Sequence, residues 1–212
     1  MKNIFLFSAA CLIGLSTFQS CKKGENDPLI ALQTRTARLS NNWIAEKIER
    51  KIDVIYTNID DMDSTITQNI IFENNYEVNT TTIKGISFDT TLIDSTMMQY
   101  EIKINKDGSY IQNTIDQSHF TIETIEGNWI FLGKSEKDDL KNKEAILLTT
   151  TKRLTSDGTN TNIVNYNDLD GITLVLDRLK NNELVTVVEK SFVDDTGLQS
   201  GTYYEKITYK KK

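Results

Sequence analysis

Proline occurs once in the 212 residues, at Pro28, and histidine once, at His119. Cysteine occurs twice, at Cys11 and Cys21, and glycine only ten times. One imidazole and two early cysteines exclude the usual zinc spacings and any internal disulfide framework. They also weigh against metalloenzyme and triad chemistry. A single proline, placed early, leaves every later strand free to pair. Basic side chains are outnumbered, 24 against 30 acidic, for a net charge of -6. That balance argues against a nucleic-acid footprint, which needs a basic face. No glycine-rich phosphate loop occurs, and the carboxylates are dispersed without a paired catalytic context. Neither a fixed-period repeat nor a Gly/Ser linker is visible. Hydrophobic residues make up 38% and aromatics 8%, which is low for a globular chain but above the disordered class. The length is that of one domain able to bury a core without staples.

The N-terminus is an address. Residues 1–20 read as a signal peptide, with Lys2 as the charged head and Ile4 to Phe18 as the apolar run. That run is too short to cross a bilayer of ~30 Å as a helix. Phe18-Gln19-Ser20-Cys21 then resembles a lipobox, whose cysteine accepts the lipid, although Gln19 departs from the pattern. Cys11 follows too short an apolar run to compete. Residues 21–41 are therefore expected to be a lipidated Cys21, a tether and either a short helix or more tether. Asp27-Pro28 suits a helix start. Two acyl chains or more give stable anchoring, and Lys22 and Lys23 suit anionic headgroups. Anchoring to the cell outer membrane is the expectation, with the periplasmic and surface faces both open.

From residue 42 to 212 the chain reads as strands. Valine, isoleucine, threonine and aromatics are dense, with Thr80-Thr81-Thr82 and Thr149-Thr150-Thr151 favouring extended chain. Period-two alternation puts Tyr100, Ile102 and Ile104 on one face. Leu184, Thr186 and Val188 share another, as do Tyr203, Glu205, Ile207 and Tyr209. Turn signals stand at Lys106-Asp107-Gly108-Ser109, Glu126-Gly127-Asn128, Ser156-Asp157-Gly158-Thr159, Asn181-Asn182 and across 194–201. Residues 58–64 and 136–143 are charged and read as loops. The expectation is an all-β domain of roughly eight to ten antiparallel strands, as a closed barrel or a flattened sandwich.

Several segments in order then resemble the lipocalin-like lipoproteins of Bacteroidota-type bacteria. They are Arg38-Leu39-Ser40-Asn41-Asn42-Trp43, the hairpin from Ile104 to Tyr110, and Glu126-Gly127-Asn128-Trp129-Ile130-Phe131. Ile172 to Leu179, leading into Asn182-Glu183-Leu184, and the aromatic run Tyr203 to Tyr209 complete the set. Asn41 stands where lipocalins proper carry glycine. The resemblance implies a small β-barrel in the cell envelope and little about chemistry.

The candidate functional residues each carry two readings. Trp43, Trp129, Met97 and Met98 could line a ligand pocket or pack a core. Asn58, Asp60, Asp61 and Asp63 offer hard oxygens for Ca²⁺ or form a solvated acidic loop without the Gly and Glu of an EF-hand. Asp116, Ser118 and His119 suggest a triad in composition and a turn in spacing. Lys206 with Lys210-Lys211-Lys212 is a basic end, expected as a solvated tail. No cofactor is implied. The expected function is non-catalytic binding of a small apolar or amphiphilic ligand. The alternative is an interaction module that docks an envelope protein or glycan system.

Overall fold

Turn chemistry sets the hairpins. Gly108 and Gly158 adopt φ of 89° and 85°, the region where glycine carries no steric penalty. Asn74 and Asn75 adopt φ of 55° and 67°, as a two-residue hairpin turn requires. This Asn-Asn turn is absent from the sequence reading above. The computed structural model describes residues 34–57, 64–85, 89–132, 144–166, 171–195 and 198–212. The signal segment, Cys21, the Asp27-Pro28 start, the acidic quartet Asn58, Asp60, Asp61 and Asp63, and the charged segment 136–143 lie outside the described residues.

Among the described residues, one short helix, α1 (Arg35–Leu39), precedes eleven strands. They are β1 (Asn42–Tyr56), β2 (Ser64–Glu73), β3 (Tyr76–Lys84), β4 (Asp89–Ile104), β5 (Ser109–Asp116) and β6 (Thr121–Leu132). Then follow β7 (Glu144–Ser156), β8 (Thr161–Asn165), β9 (Gly171–Leu179), β10 (Glu183–Val193) and β11 (Gln199–Lys211). The sheet is antiparallel and closes on itself through β6–β7. Ten strands form the ring, and β8 is appended to β7. The fold is thus a closed barrel, not a sandwich.

The ring is not uniform along its axis. At one end β1 pairs directly with β4, Asn42–Ile44 against Glu101–Lys103. Beyond Lys47, β1 leaves β4 and pairs with β2, while β4 pairs with β3 below Met97. The β2–β3 hairpin is wedged into this fork. Its tip accepts a hydrogen bond at the Asn75 carbonyl from Met98 N–H, 2.9 Å away. The register of β1 shifts between Ala45 and Lys47, at the same level. A bulge of this kind bends a strand and reverses which face its residues present. The narrow end therefore has eight strands around it and the wide end has the hairpin added.

The core fills the narrow end. Trp43, Ile48, Phe72, Ile146, Leu179 and Leu184 are essentially inaccessible, each such burial stabilising by about 1.5–3 kcal/mol. Helix α1 closes this end. Thr34 is its N-cap, accepting at Oγ1 from Ala37 N–H at 3.2 Å. Buried Arg38 donates from Nη1 to the Leu179 carbonyl at 2.7 Å. The Trp43 indole N–H donates to the Leu39 carbonyl at 2.8 Å. Asn41 Nδ2 donates to the Arg38 carbonyl, also at 2.7 Å. The helix end so satisfied is one that would otherwise leave carbonyls without partners.

Two expectations are corrected here. Glu126-Gly127-Asn128 is not a turn but the middle of β6. Gly127 is there because a side chain would collide with the Thr149 carbonyl and the Tyr110 ring. The actual reversal falls at 117–120, where the Asp116 carboxylate accepts from the N–H groups of Ser118 and His119, both at 2.9 Å. Nor are the C-terminal lysines a tail. Lys210 and Lys211 pair with Ile44 and Trp43 of β1, and Lys212 N–H donates to the Asn42 carbonyl at 2.9 Å.

The hairpin tip gives a first testable expectation. Asn75→Val places a β-branched residue at positive φ and is expected to destabilise by about 1–2 kcal/mol. Asn75→Gly should be close to neutral. Urea unfolding midpoints of the two variants check this.

Candidate functional site

Above the packed end, strand parity sends mostly polar and aromatic side chains inward. After the β1 bulge the inward residues are Ile48, Arg50, Ile52 and Val54, because Ile48 faces Ile207 and Phe72 in the core. Arg50 is in register with Glu205 of β11. Its Nε donates to Glu205 Oε2 at 2.8 Å, and Nη2 lies 2.6 Å from the same oxygen. The two side chains are only 22% and 13% exposed. This is a charge pair at mid-barrel, reachable by water from one side.

Tyrosines surround it. Tyr203 precedes Glu205 by two on the same face, and Lys190 Nζ lies 5.2 Å from its ring centroid, within cation–π range. Tyr100 packs edge-on to Phe72, centroids 5.2 Å apart, and its hydroxyl donates to Glu77. A shallow depression of about 370 Å³ over β10 and β11 is lined mainly by residues of the opposite, outward parity, Glu189, Ser191, Thr202 and Tyr204. The inner wall thus offers cations, carboxylates, phenols and ring faces over an apolar floor.

The electrostatics follow from partial burial. Desolvation alone would lower the Arg50 pKa, but the adjacent Glu205 carboxylate outweighs it, and the guanidinium is held charged more firmly than usual. Burial, with Glu205 adding to it, pushes the Tyr203 phenol up to about 12. Burial and the bond to Glu77 raise Tyr100. Burial raises Tyr209 as well. A raised phenol pKa stabilises the fold fully below the unfolded value of 10.0. That contribution is lost as pH rises through the folded value, because the unfolded chain gives up its proton first. Alkaline unfolding is therefore expected to set in above pH 10 and to be well advanced by about 12. Phenolate absorbance and circular dichroism followed together should change together. Tyr203→Phe should move the onset to higher pH.

Trp43 and Trp129 do not meet at this site. Both belong to the packed end, 0% and 6% exposed. The Trp129 indole N–H donates to the Asn105 carbonyl at 2.8 Å, and its ring packs edge-on against Phe131. Met98 packs partly buried against the core, at the rim of the floor. Met97 lies beside it at the fork, its N–H bonded to Ser118 Oγ at 3.1 Å. Ser118 and Asp116 act as turn formers, and His119 Nδ1 lies 2.8 Å from Asp116 Oδ2 on an exposed loop. Among the described residues no group of three or more His, Cys, Asp or Glu could hold a metal ion.

Sequence reasoning passed over Arg50, Glu77, Tyr100, Tyr203 and Glu205 as a set. Their one signal was alternation: Tyr203, Glu205, Ile207 and Tyr209 share a face, and a glutamate on an otherwise apolar, aromatic face needs a cation opposite.

No family model matches the chain, and comparison with curated proteins finds no match. Among solved structures it is similar to Rv2717c from M. tuberculosis, at 9% identity and TM-score 0.24, over 83% of this chain and 94% of that one. It is also similar to a porin-like protein from Bacteroides uniformis ATCC 8492, at 10% identity and TM-score 0.24, over 79% and 96%. The barrel described above rests on the strand pairing itself, and neither likeness carries a functional argument.

Proposed function

We propose that the chain is a lipoprotein anchored through Cys21 to the outer membrane, with a barrel lumen that binds a small amphiphilic molecule without catalysis. The observation that carries the reading is the mid-barrel Arg50–Glu205 pair, flanked by Tyr203 and Tyr100 above an apolar floor. Ligand sites combine apolar walls with a few convergent polar groups in this way. The polar inner wall favours an amphiphile over a purely apolar ligand.

The outer wall supports anchoring rather than spanning. Ion pairs Lys47–Glu49 and Lys51–Asp53, each 2.7 Å, lie on the outward face of β1. Lys206 and Asp177 pair on the outer face of β11 and β9. A lysine on a lipid-facing strand costs about 2–4 kcal/mol near a bilayer midplane, and a carboxylate somewhat less, so this wall suits water.

Native mass spectrometry on residues 22–212 purified from cells tests the reading. A reproducible adduct released on denaturation, and weakened by Tyr203→Ala, is expected. A clean apo mass across several expression hosts and added amphiphiles would count against a lumen ligand.

A second reading rests on the rim. Leu92, Ile93, Phe120 and Val193 are 59%, 71%, 78% and 68% exposed at the open end. Apolar groups gathered at one end suit a protein contact. Cross-linking the intact lipoprotein in its own envelope, from cysteines placed at Ile93 and Phe120, would return one defined partner if this reading holds.

A further inference from the structure

We propose that the closed end of the barrel is itself a membrane-docking surface, which rests on an anionic phospholipid leaflet and holds the open mouth away from it. The proposal adds to the lipid-anchor reading above and rests on it for the protein's presence at the bilayer.

The chain as a whole is acidic, yet its two ends are not alike. Lys103, Lys106, Lys180, Lys210, Lys211 and Lys212 come together at the closed end. They lie at the end of β4, on the β4–β5 turn, on the β9–β10 turn and at the end of β11. Some are neutralised there: Lys210 by Glu46, Lys212 by Glu101 at 2.9 Å and Lys180 by Glu183 at 3.8 Å. Lys103, Lys106 and Lys211 are exposed and make no ion pair with a described residue. The nearby Asp107 accepts from Ser109 N–H at 2.9 Å and Ser109 Oγ at 2.7 Å, and sets one negative charge near Lys103. Between the lysines lies a depression of about 330 Å³, lined by Asn41, Asn42, Asn105, Lys103 and Lys106. The Lys103 and Lys106 ammonium groups beside a shallow hollow are suited to phosphate oxygens.

The open end carries the opposite sign. Asp89, Asp94, Asp157, Glu189 and Asp195 are exposed there, against Lys84 and Lys190. A negative leaflet attracts one end and repels the other. Only charges within about a Debye length, ~8–10 Å, take part, so the net charge does not prevent docking. The chain also enters the fold at the closed end, through Thr34 and α1. A tether from Cys21 therefore delivers the basic end, and not the acidic mouth, to the lipid.

The test uses the full acylated chain reconstituted into vesicles of phosphatidylcholine alone or mixed with phosphatidylglycerol. Flotation reads anchoring. Lysine acetylation, mapped by mass spectrometry, reads docking. The expected result is flotation with both vesicles, and a several-fold fall in labelling of Lys103, Lys106 and Lys211 with the anionic vesicles alone. Lys84 and Lys190 should label equally in both. Salt at about 1 M, where the Debye length is ~3 Å, should restore labelling. In Lys103→Glu/Lys106→Glu/Lys211→Glu, Lys180 and Lys210 should lose their protection while flotation persists. Flotation with equal labelling in both vesicles would overturn docking and leave the anchor standing. Flotation with anionic vesicles only would support docking and remove the anchor. Failure to float with either would overturn both. Protection of the same lysines in detergent before vesicles are added would mark a protein contact and overturn the lipid assignment.

Discussion

Trp43→Ala is expected to destabilise the barrel by about 3–5 kcal/mol, the range for truncating a large, fully buried aromatic residue. Trp43 is 0% exposed and joins two parts of the molecule. Its ring fills the floor among Leu39, Ala45, Ile48 and Tyr209. Its indole N–H ties the last residue of α1 to β1. The variant should therefore lose the plug before it loses the barrel. In hydrogen exchange, the Arg38 and Ser40 amides, bonded to Thr34 and Thr36 carbonyls, should open first. Trp43→Phe keeps most of the packing and removes the hydrogen bond, and should cost about 1 kcal/mol for that bond beyond the smaller ring. Urea unfolding of the three proteins gives the comparison. An alanine variant within about 1 kcal/mol of the parent would show that the floor is not a closely packed core.

Arg50→Met should be nearly as damaging, for a different reason. Removing one member of a buried pair strands the other charge, at about 3–5 kcal/mol when burial is complete. Here both side chains retain some exposure, so about 2–3 kcal/mol is expected, toward the low end. Arg50→Met/Glu205→Leu replaces both charges with apolar groups of similar reach and should recover most of the loss. The double variant then separates stability from binding. If the lumen takes its ligand through this pair, the double variant stays folded and its mass-spectrometric adduct disappears. If the adduct survives in the folded double variant, the pair is structural and the ligand reading loses its main support.

The strand content and most turns were legible because they depend on local chemistry. The Asp-Gly pairs at Asp107-Gly108 and Asp157-Gly158 set glycine at positive φ in tight turns. Alternation in β4, β10 and β11 also survives into the fold, with Ile102, Ile104, Leu184, Thr186 and Tyr209 buried as a period of two requires. What was not legible depends on contacts between distant segments. Gly127 looked like a turn residue because its reason, the approach of Thr149 and Tyr110, lies on other strands. Strict alternation in β1 would have put Trp43 on a face with Lys47, Glu49 and Lys51. Only the bulge lets Trp43 and Arg50 share the interior. The bulge turns Arg50 inward, an orientation that strict alternation from Trp43 does not give. Barrel and sandwich give the same pattern along each strand, and the β6–β7 pairing that separates them is set by register alone.

The hairpin wedged between β1 and β4 works as a tailor's gusset does, widening one hem while the seam above stays as cut. The eight strands of the seam hold the floor, the plug and the basic end. The inserted pair, β2 with β3, governs how far the other hem opens. Lengthening or trimming that pair at its far end, away from Phe72, would resize the mouth.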